Sequence, residues 1–130
     1  MNPTELVRLA KTAMQRAYVP YSGYKVGAAL LTKGGKVYLG CNIENAAFGP
    51  SNCAERTAFF TAIAAGETEF ESIAVVGGKD GVVTDIFPPC GVCRQVMQEF
   101  CGPDFLIYMG RGDDSYEAVP LAKLLPYGFN

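Results

Sequence analysis

A chain of 130 residues is long enough for one domain with a sizeable core and too short for two. Hydrophobic residues make up 49% and charged residues 18%, a composition that argues against disorder. The net charge is −2 and the basic residues are scattered, which disfavours a nucleic-acid partner.

The first part of the chain predicts a helix followed by a hairpin. Residues 4–17 place apolar side chains at helical spacing with polar ones opposite, which indicates an amphipathic helix. The charges at the start of this helix, without the apolar segment of a signal peptide, favour a cytoplasmic protein. No apolar run in the chain is long enough to span a membrane, so no membrane partner is expected. Residues 25–33 and 36–45 indicate two strands joined by a two-residue turn at Gly34-Gly35.

The second part alternates helices and strands. A helix is predicted over 53–65 and ends at Gly66, and the wholly apolar run 72–78 is typical of a central strand. The remaining predicted elements are a helix in the second half of PPCGVCRQVMQEFC, strands over 104–110 and 115–120, the latter at an edge, and a short helical turn with a tail over 121–130. This order predicts an α/β fold with a mixed sheet covered by helices on both faces.

Five cysteines and no histidine define the candidate chemistry. An odd number of cysteines that includes a Cys-x-x-Cys pair favours metal binding or free thiols over disulfides. Cys53 precedes one predicted helix, and Cys90 with Cys93 opens another. The positive end of a helix favours thiolates, so two facing helix starts could supply three of them to zinc or to an iron–sulfur cluster.

Glu55 and two arginines complete this constellation. Three protein ligands leave the fourth position of zinc open to water, and Glu55 could then carry the proton of that water. Two residues are about 200° apart on an ideal helix, so Glu55 meets the site only if Cys53 lies at the very start of the helix. Three thiolates leave surplus negative charge, which Arg56, and Arg94 as a second candidate, could offset.

The motifs CNIENAAF, NCAERTAFF and PPCGVCRQVM closely resemble those of the small, homotetrameric cytidine deaminases that bind zinc through three cysteines. The resemblance runs from about Tyr18 to Arg94 and returns at LLPYGF. It implies a cytidine-deaminase-like three-layer αβα sandwich with a mixed five-stranded sheet. It also implies one zinc ion per subunit and deamination of cytidine and 2′-deoxycytidine in pyrimidine salvage.

The same resemblance implies roles for individual residues. Cys53, Cys90 and Cys93 correspond to the zinc ligands, and Glu55 to the proton shuttle. The residues that correspond to substrate contacts are Asn42 and Glu44 at the ribose, Tyr24 and Ala54 near the nucleoside, and Phe129, which such enzymes lend to a neighbouring subunit. Phe48 stands where a tyrosine is often found, and Pro88 replaces the more usual serine.

Other functions remain open from the sequence. A structural zinc module would recruit Cys41 or Cys101 as a fourth ligand and would have no need of Glu55. A deaminase of the same fold acting on a modified nucleoside such as blasticidin S lacks the CNIEN motif. An RNA-editing deaminase would need a basic groove, which the net charge of −2 disfavours.

Overall fold

Five strands and four helices follow one another along the chain, and the computed structural model describes residues 1–130. The strands are β1 (Tyr24–Thr32), β2 (Val37–Cys41), β3 (Phe70–Lys79), β4 (Leu106–Gly110) and β5 (Tyr116–Pro120). The helices are α1 (Pro3–Met14), α2 (Ala54–Ala64), α3 (Gly91–Phe100) and α4 (Leu121–Leu124). None of them has both the length and the apolar character that crossing a bilayer requires.

The strands form one mixed sheet in the order β2-β1-β3-β4-β5. β1 is antiparallel to both β2 and β3, β3 is parallel to β4, and β5 returns antiparallel at the edge. The parallel pair needs a crossover, which α3 provides between β3 and β4. The predicted mixed five-stranded sheet and the edge position of the last strand are both confirmed.

Helices cover both faces of this sheet, as predicted. Side chains alternate along β1, so that Ala29 and Leu31 pack under α1 while Ala28 and Leu30 face the opposite layer. That opposite layer contains α2, α3 and α4, and Phe59 of α2 lies at its centre, where its ring contacts those of Phe70 and Phe105. The molecule is therefore a three-layer αβα sandwich, and both cysteine-bearing helices lie on one side of it.

Several predicted boundaries are wrong, and hydrogen bonds explain two of them. The first helix ends at Met14 instead of residue 17, because Tyr18 donates its N–H to Asn42 O (3.0 Å) and so draws the chain toward the end of β2. The hairpin turn has three residues instead of two, since Thr32 N–H donates to Lys36 O (2.9 Å) and closes a loop over residues 33–35. Gly35 has φ of 92°, the left-handed conformation that such three-residue loops require.

Gly40 on β2 allows α2 to lie directly on the sheet. A Cβ atom at this position would be 2.3 Å from Ala54 O and 2.5 Å from Ala58 N. Both of those atoms belong to the backbone of α2, so they cannot move aside as a side chain would. The close approach fixes the start of α2, where Cys53 and Glu55 are located.

We expect Gly40→Ala to lower the free energy of unfolding by about 1–3 kcal/mol, since it overpacks a backbone contact. Urea titration followed by circular dichroism measures this change. Gly49→Ala is the matched control, because its added methyl group enters open space and should change stability by less than about 0.5 kcal/mol. An unfolding midpoint for Gly40→Ala equal to that of the control would contradict this packing role.

Candidate active site

Cys53 lies immediately before the first residue of α2. Its backbone is extended (φ −77°, ψ 157°), and its side chain makes no capping hydrogen bond to the helix. The spacing of 100° per residue does not yet apply at this position, so Cys53 and Glu55 are free to line the same cavity. The sequence required Cys53 to lie at the very start of the helix if Glu55 was to reach the same site, and Cys53 does lie there.

α3 begins in the same way with a second cysteine. Cys90 is its N-terminal flanking residue, again extended and without a side-chain cap, and Cys93 is buried in the first turn. The helix starts at Gly91 although it was predicted only for the second half of this segment. Two helix N-termini therefore present sulfur atoms to one another, and their partial positive charge stabilises thiolates there.

The three sulfur atoms form one compact cluster. Cys53 Sγ lies 3.5 Å from Cys90 Sγ, which lies 3.3 Å from Cys93 Sγ, and all three are within 4.8 Å of one another. Around a tetrahedral zinc ion with Zn–S bonds of about 2.3 Å, sulfurs are separated by about 3.8 Å. The donor set therefore fits one zinc ion with three protein ligands.

Neither remaining cysteine completes the cluster. Cys101 follows the last residue of α3, at the opposite end of that helix from Cys90, and its side chain packs against the hydrophobic core. Cys41 lies at the end of β2 in a separate depression beside Arg16. The closed four-sulfur site of a structural zinc module has no fourth donor here.

Arg56 contacts the cluster directly, whereas Arg94 does not. Arg56 Nη2 donates to Cys53 Sγ (3.2 Å), and its buried Nε has no partner within the protein. Arg94 donates to Pro89 O and Leu124 O (both 2.8 Å) and makes no hydrogen bond to a sulfur. Of the two arginines predicted to offset the charge of the sulfurs, only Arg56 contacts a sulfur.

The surroundings shift the pKa values within the site in opposite directions. A hydrogen bond from the Cys93 thiol, supported by those from Arg56 and Cys90, lowers the pKa of Cys53 to about 5, and the same bond raises the pKa of Cys93. Burial raises the pKa of the Glu55 carboxyl to about 7. A group that titrates near neutrality is suited to both accepting and donating a proton.

A cavity of about 320 Å³ opens beside the sulfurs, and we call it the nucleoside cavity after the ligand that the sequence resemblance implies. Its lining residues are Ser22, Tyr24, Val26, Asn42, Cys53, Ala54, Glu55, Phe87, Pro88 and Cys90. An adjoining depression of the same size shares Asn42 and Cys53 with it and includes Glu44, Arg56 and the largely exposed Phe48. The site is therefore a short groove with the sulfur cluster and Glu55 at its base.

Asn42 and Glu44 hold the segment Tyr21–Tyr24 at the rim of this groove. Asn42 accepts from Val26 N (2.9 Å) and donates to Tyr24 O (2.8 Å). Glu44 accepts from the N–H groups of Tyr21 and Ser22 (3.1 and 3.0 Å) and from the Ser22 hydroxyl, and the hydrogen bonds from Ser22 lower the pKa of its carboxyl. Each side chain retains unused hydrogen-bonding capacity, because an amide offers two donors and a carboxylate about four acceptor positions.

Comparison with known proteins identifies the family. A family model described as the cytidine and deoxycytidylate deaminase zinc-binding region matches residues 1–109. The chain belongs to this deaminase family. Cytidine deaminase from Sporosarcina psychrophila is 46% identical over 130 residues, which cover 100% of this chain and 93% of that protein.

Solved cytidine deaminases also share the whole fold. The crystal structure from Burkholderia pseudomallei is 46% identical with a TM-score of 0.91, covering 99% of this chain and 100% of that one. The structure from Mycobacterium tuberculosis is 35% identical with a TM-score of 0.85, covering 100% and 98%. The fold predicted from the resemblance is thereby confirmed, and the zinc-binding region of the deaminase family includes the segment with all three clustered cysteines.

Sequence reasoning missed part of this deaminase site. Ser22, Val26 and Phe87 line the nucleoside cavity, although no motif singled them out. Phe129 is 76% exposed and does not line the cavity of its own chain. Its one hydrogen bond is made by its carbonyl oxygen, which accepts from Gln95 Nε2 (2.9 Å).

Proposed function

We propose that this protein hydrolytically deaminates cytidine and 2′-deoxycytidine to uridine and 2′-deoxyuridine, releasing ammonia, in pyrimidine salvage. The observation that carries the proposal is the clustering of three cysteine sulfurs within 4.8 Å of one another beside a cavity that also contains a buried glutamate. The relatives named cytidine deaminase support the choice of substrate.

Cys53, Cys90 and Cys93 would hold the zinc ion. The chemistry that a zinc ion would supply there is the activation of water for attack at neutral pH. The two helix N-termini and Arg56 draw negative charge from the sulfurs, so the site is less electron-rich than three unassisted thiolates would make it. The protein thereby preserves the activating power of the metal without a histidine ligand.

Glu55 would move the protons of the reaction. It accepts a proton from the attacking water and delivers it to N3 of cytosine as the oxygen bonds to C4. It then carries the second proton to the departing amino group, and the C4–N bond breaks to give ammonia. Burial in the cavity excludes competing solvent from the carboxyl, which is 3% exposed.

The ribose would lie along the rim segment. Asn42 and Glu44 would hold the 3′-hydroxyl with the hydrogen-bonding capacity that the rim leaves free, and Tyr24 and Ala54 would contact the nucleoside. A 3′-hydroxyl is present in both ribose and deoxyribose, so these contacts serve both substrates. We also propose that the protein acts in the cytoplasm, with no nucleic-acid or membrane partner.

A homotetramer is part of the proposal. Phe129 and Tyr127 are exposed on the C-terminal tail, and Phe48 and Val92 are exposed beside the groove, so large apolar side chains are available for contacts between copies. Phe129 would then complete a neighbour's nucleoside cavity. Sedimentation equilibrium tests this, and a stable, fully active monomer would refute it.

The direct test is an ultraviolet assay with the zinc-loaded protein. Cytidine and 2′-deoxycytidine should both be converted to the uracil nucleosides with release of one ammonia per turnover. Adenosine, whose amino group is on a purine instead of a pyrimidine, serves as the control substrate. A fully zinc-loaded sample that leaves cytidine unchanged would reject the proposed function.

Arg56→Gln should keep zinc but lower kcat by about 10- to 100-fold, since it removes a hydrogen bond to a charged sulfur that is worth about 1.5–3 kcal/mol. Metal analysis and steady-state kinetics measure the two effects separately. Arg8→Gln is the control, because Arg8 is exposed on α1 and pairs with Asp114 away from the site. Unchanged kcat in Arg56→Gln would show that the helix N-termini alone stabilise the thiolates.

A further inference from the structure

The nucleoside cavity has a second space directly behind one of its walls. This side chamber, about 220 Å³ in volume, lies between the end of β3 at Gly77–Lys79 and the loop that leads to α3. It shares two lining residues with the nucleoside cavity, Tyr24 and Phe87. These two aromatic side chains are therefore the partition between the two spaces.

Phe87 is held in the partition by its contact with a glycine. It lies in the loop between β3 and α3, outside any helix or strand, so packing determines where its ring sits. A Cβ atom at Gly77 would be 2.8 Å from Cγ of Phe87 and 3.0–3.1 Å from the next ring atoms. The ring thus rests against the bare backbone of β3, beside Val26, which pairs with Gly77 across β1 and β3.

The chemistry of cytosine shows which edge of the base meets this wall. C4 must lie at the sulfur cluster, and N3 must face Glu55 to receive its proton, while the sugar extends toward Asn42 and Tyr24. The C2 carbonyl and the C5–C6 edge remain, and C5–C6 is the one edge of cytosine without hydrogen-bonding groups. Of the remaining lining residues, Ser22 belongs to the rim segment with Glu44, and the other four, Val26, Ala54, Phe87 and Pro88, are apolar and match that edge.

We propose that Phe87, positioned by Gly77, is a specificity-determining residue that limits the size of the group tolerated at C5 of the pyrimidine. This inference rests on the proposed function for the placement of the base. Removing the ring joins the side chamber to the nucleoside cavity and gives a C5 substituent a place to lie. Adding a methyl group at Gly77 pushes the ring away from β3 and narrows the cavity.

Two variants should therefore change selectivity in opposite directions. The readout is the ratio of kcat/KM for 5-propynylcytidine to that for cytidine, in which the fraction of active enzyme cancels. Phe87→Val should raise this ratio by about 10-fold or more, the scale of one or two methylene groups in an apolar pocket. Gly77→Ala should lower it, and 5-methylcytidine should show the same trends with smaller amplitude.

Ile86→Val is the matched control, because Ile86 lines the side chamber but not the nucleoside cavity. A ratio for Phe87→Val within about twofold of the wild-type ratio, or a change as large in Ile86→Val, would overturn the inference. Equilibrium binding of uridine and 5-propynyluridine by the same proteins gives a readout that needs no turnover. Failure of the wild type to convert cytidine would reject the proposed function, whereas unchanged relative binding would reject the role of Phe87.

Discussion

Glu55→Gln is expected to lower kcat for cytidine by at least about 10²–10⁴-fold and to leave one zinc ion per chain. Glutamine keeps the shape of the side chain but cannot accept the proton of the attacking water or deliver it to N3. The loss corresponds to about 3–5 kcal/mol of transition-state stabilisation. Single-turnover kinetics together with metal analysis separate this loss of chemistry from a loss of metal.

Glu99→Gln provides the control for this prediction. Glu99 is exposed near the end of α3 and has no hydrogen-bond or ion-pair partner, so the same chemical change there should leave kcat unaltered. Retention of near-normal turnover in zinc-loaded Glu55→Gln would remove this carboxyl from the mechanism. Parallel melting curves establish whether the folded fraction is the same in both variants.

Cys93→Ser should have the largest effect on the metal. Because Cys93 is buried among the clustered sulfurs, its replacement by a poor zinc ligand should reduce zinc from one ion per chain to a small fraction of that. Activity should fall at least as far as in Glu55→Gln. Metal content after gel filtration and residual activity with added zinc measure both effects.

Cys41→Ser and Cys101→Ser test the competing interpretation of the metal site. Neither sulfur belongs to the cluster, so both variants should keep their zinc and their activity. Zinc loss in either one would instead support a closed, structural site with four sulfur ligands. X-ray absorption spectroscopy of the wild type provides an independent count of the sulfur donors.

The chemistry was predictable from the sequence because it depends on short motifs at the starts of two helices. Cys53 and Glu55 share one helix start, and Cys90 and Cys93 share another, so local spacing carried most of the information. That both helices lie on the same face of the sheet was not predicted and is seen only in the structure. Periodicity alone does not say which side of the sheet a crossover helix covers.

What the sequence did not reveal depends on contacts between distant segments. Arg94 was a candidate for charge compensation, but it reaches Leu124 O, a carbonyl 30 positions further along the chain. The first helix ends early because Tyr18 bonds to Asn42, and Phe87 becomes a wall only through its contact with Gly77 on β3. No local pattern encodes such pairings.

The sulfur cluster also joins two stretches of chain that are distant in sequence. Cys53 and Cys90 are 37 positions apart, and each lies at the N-terminus of its own helix. An ion that binds both cysteines in the folded protein and is released on unfolding favours the native state by mass action. The melting temperature should therefore rise with the zinc concentration, so that the metal holds the two helix ends together in addition to its chemical role.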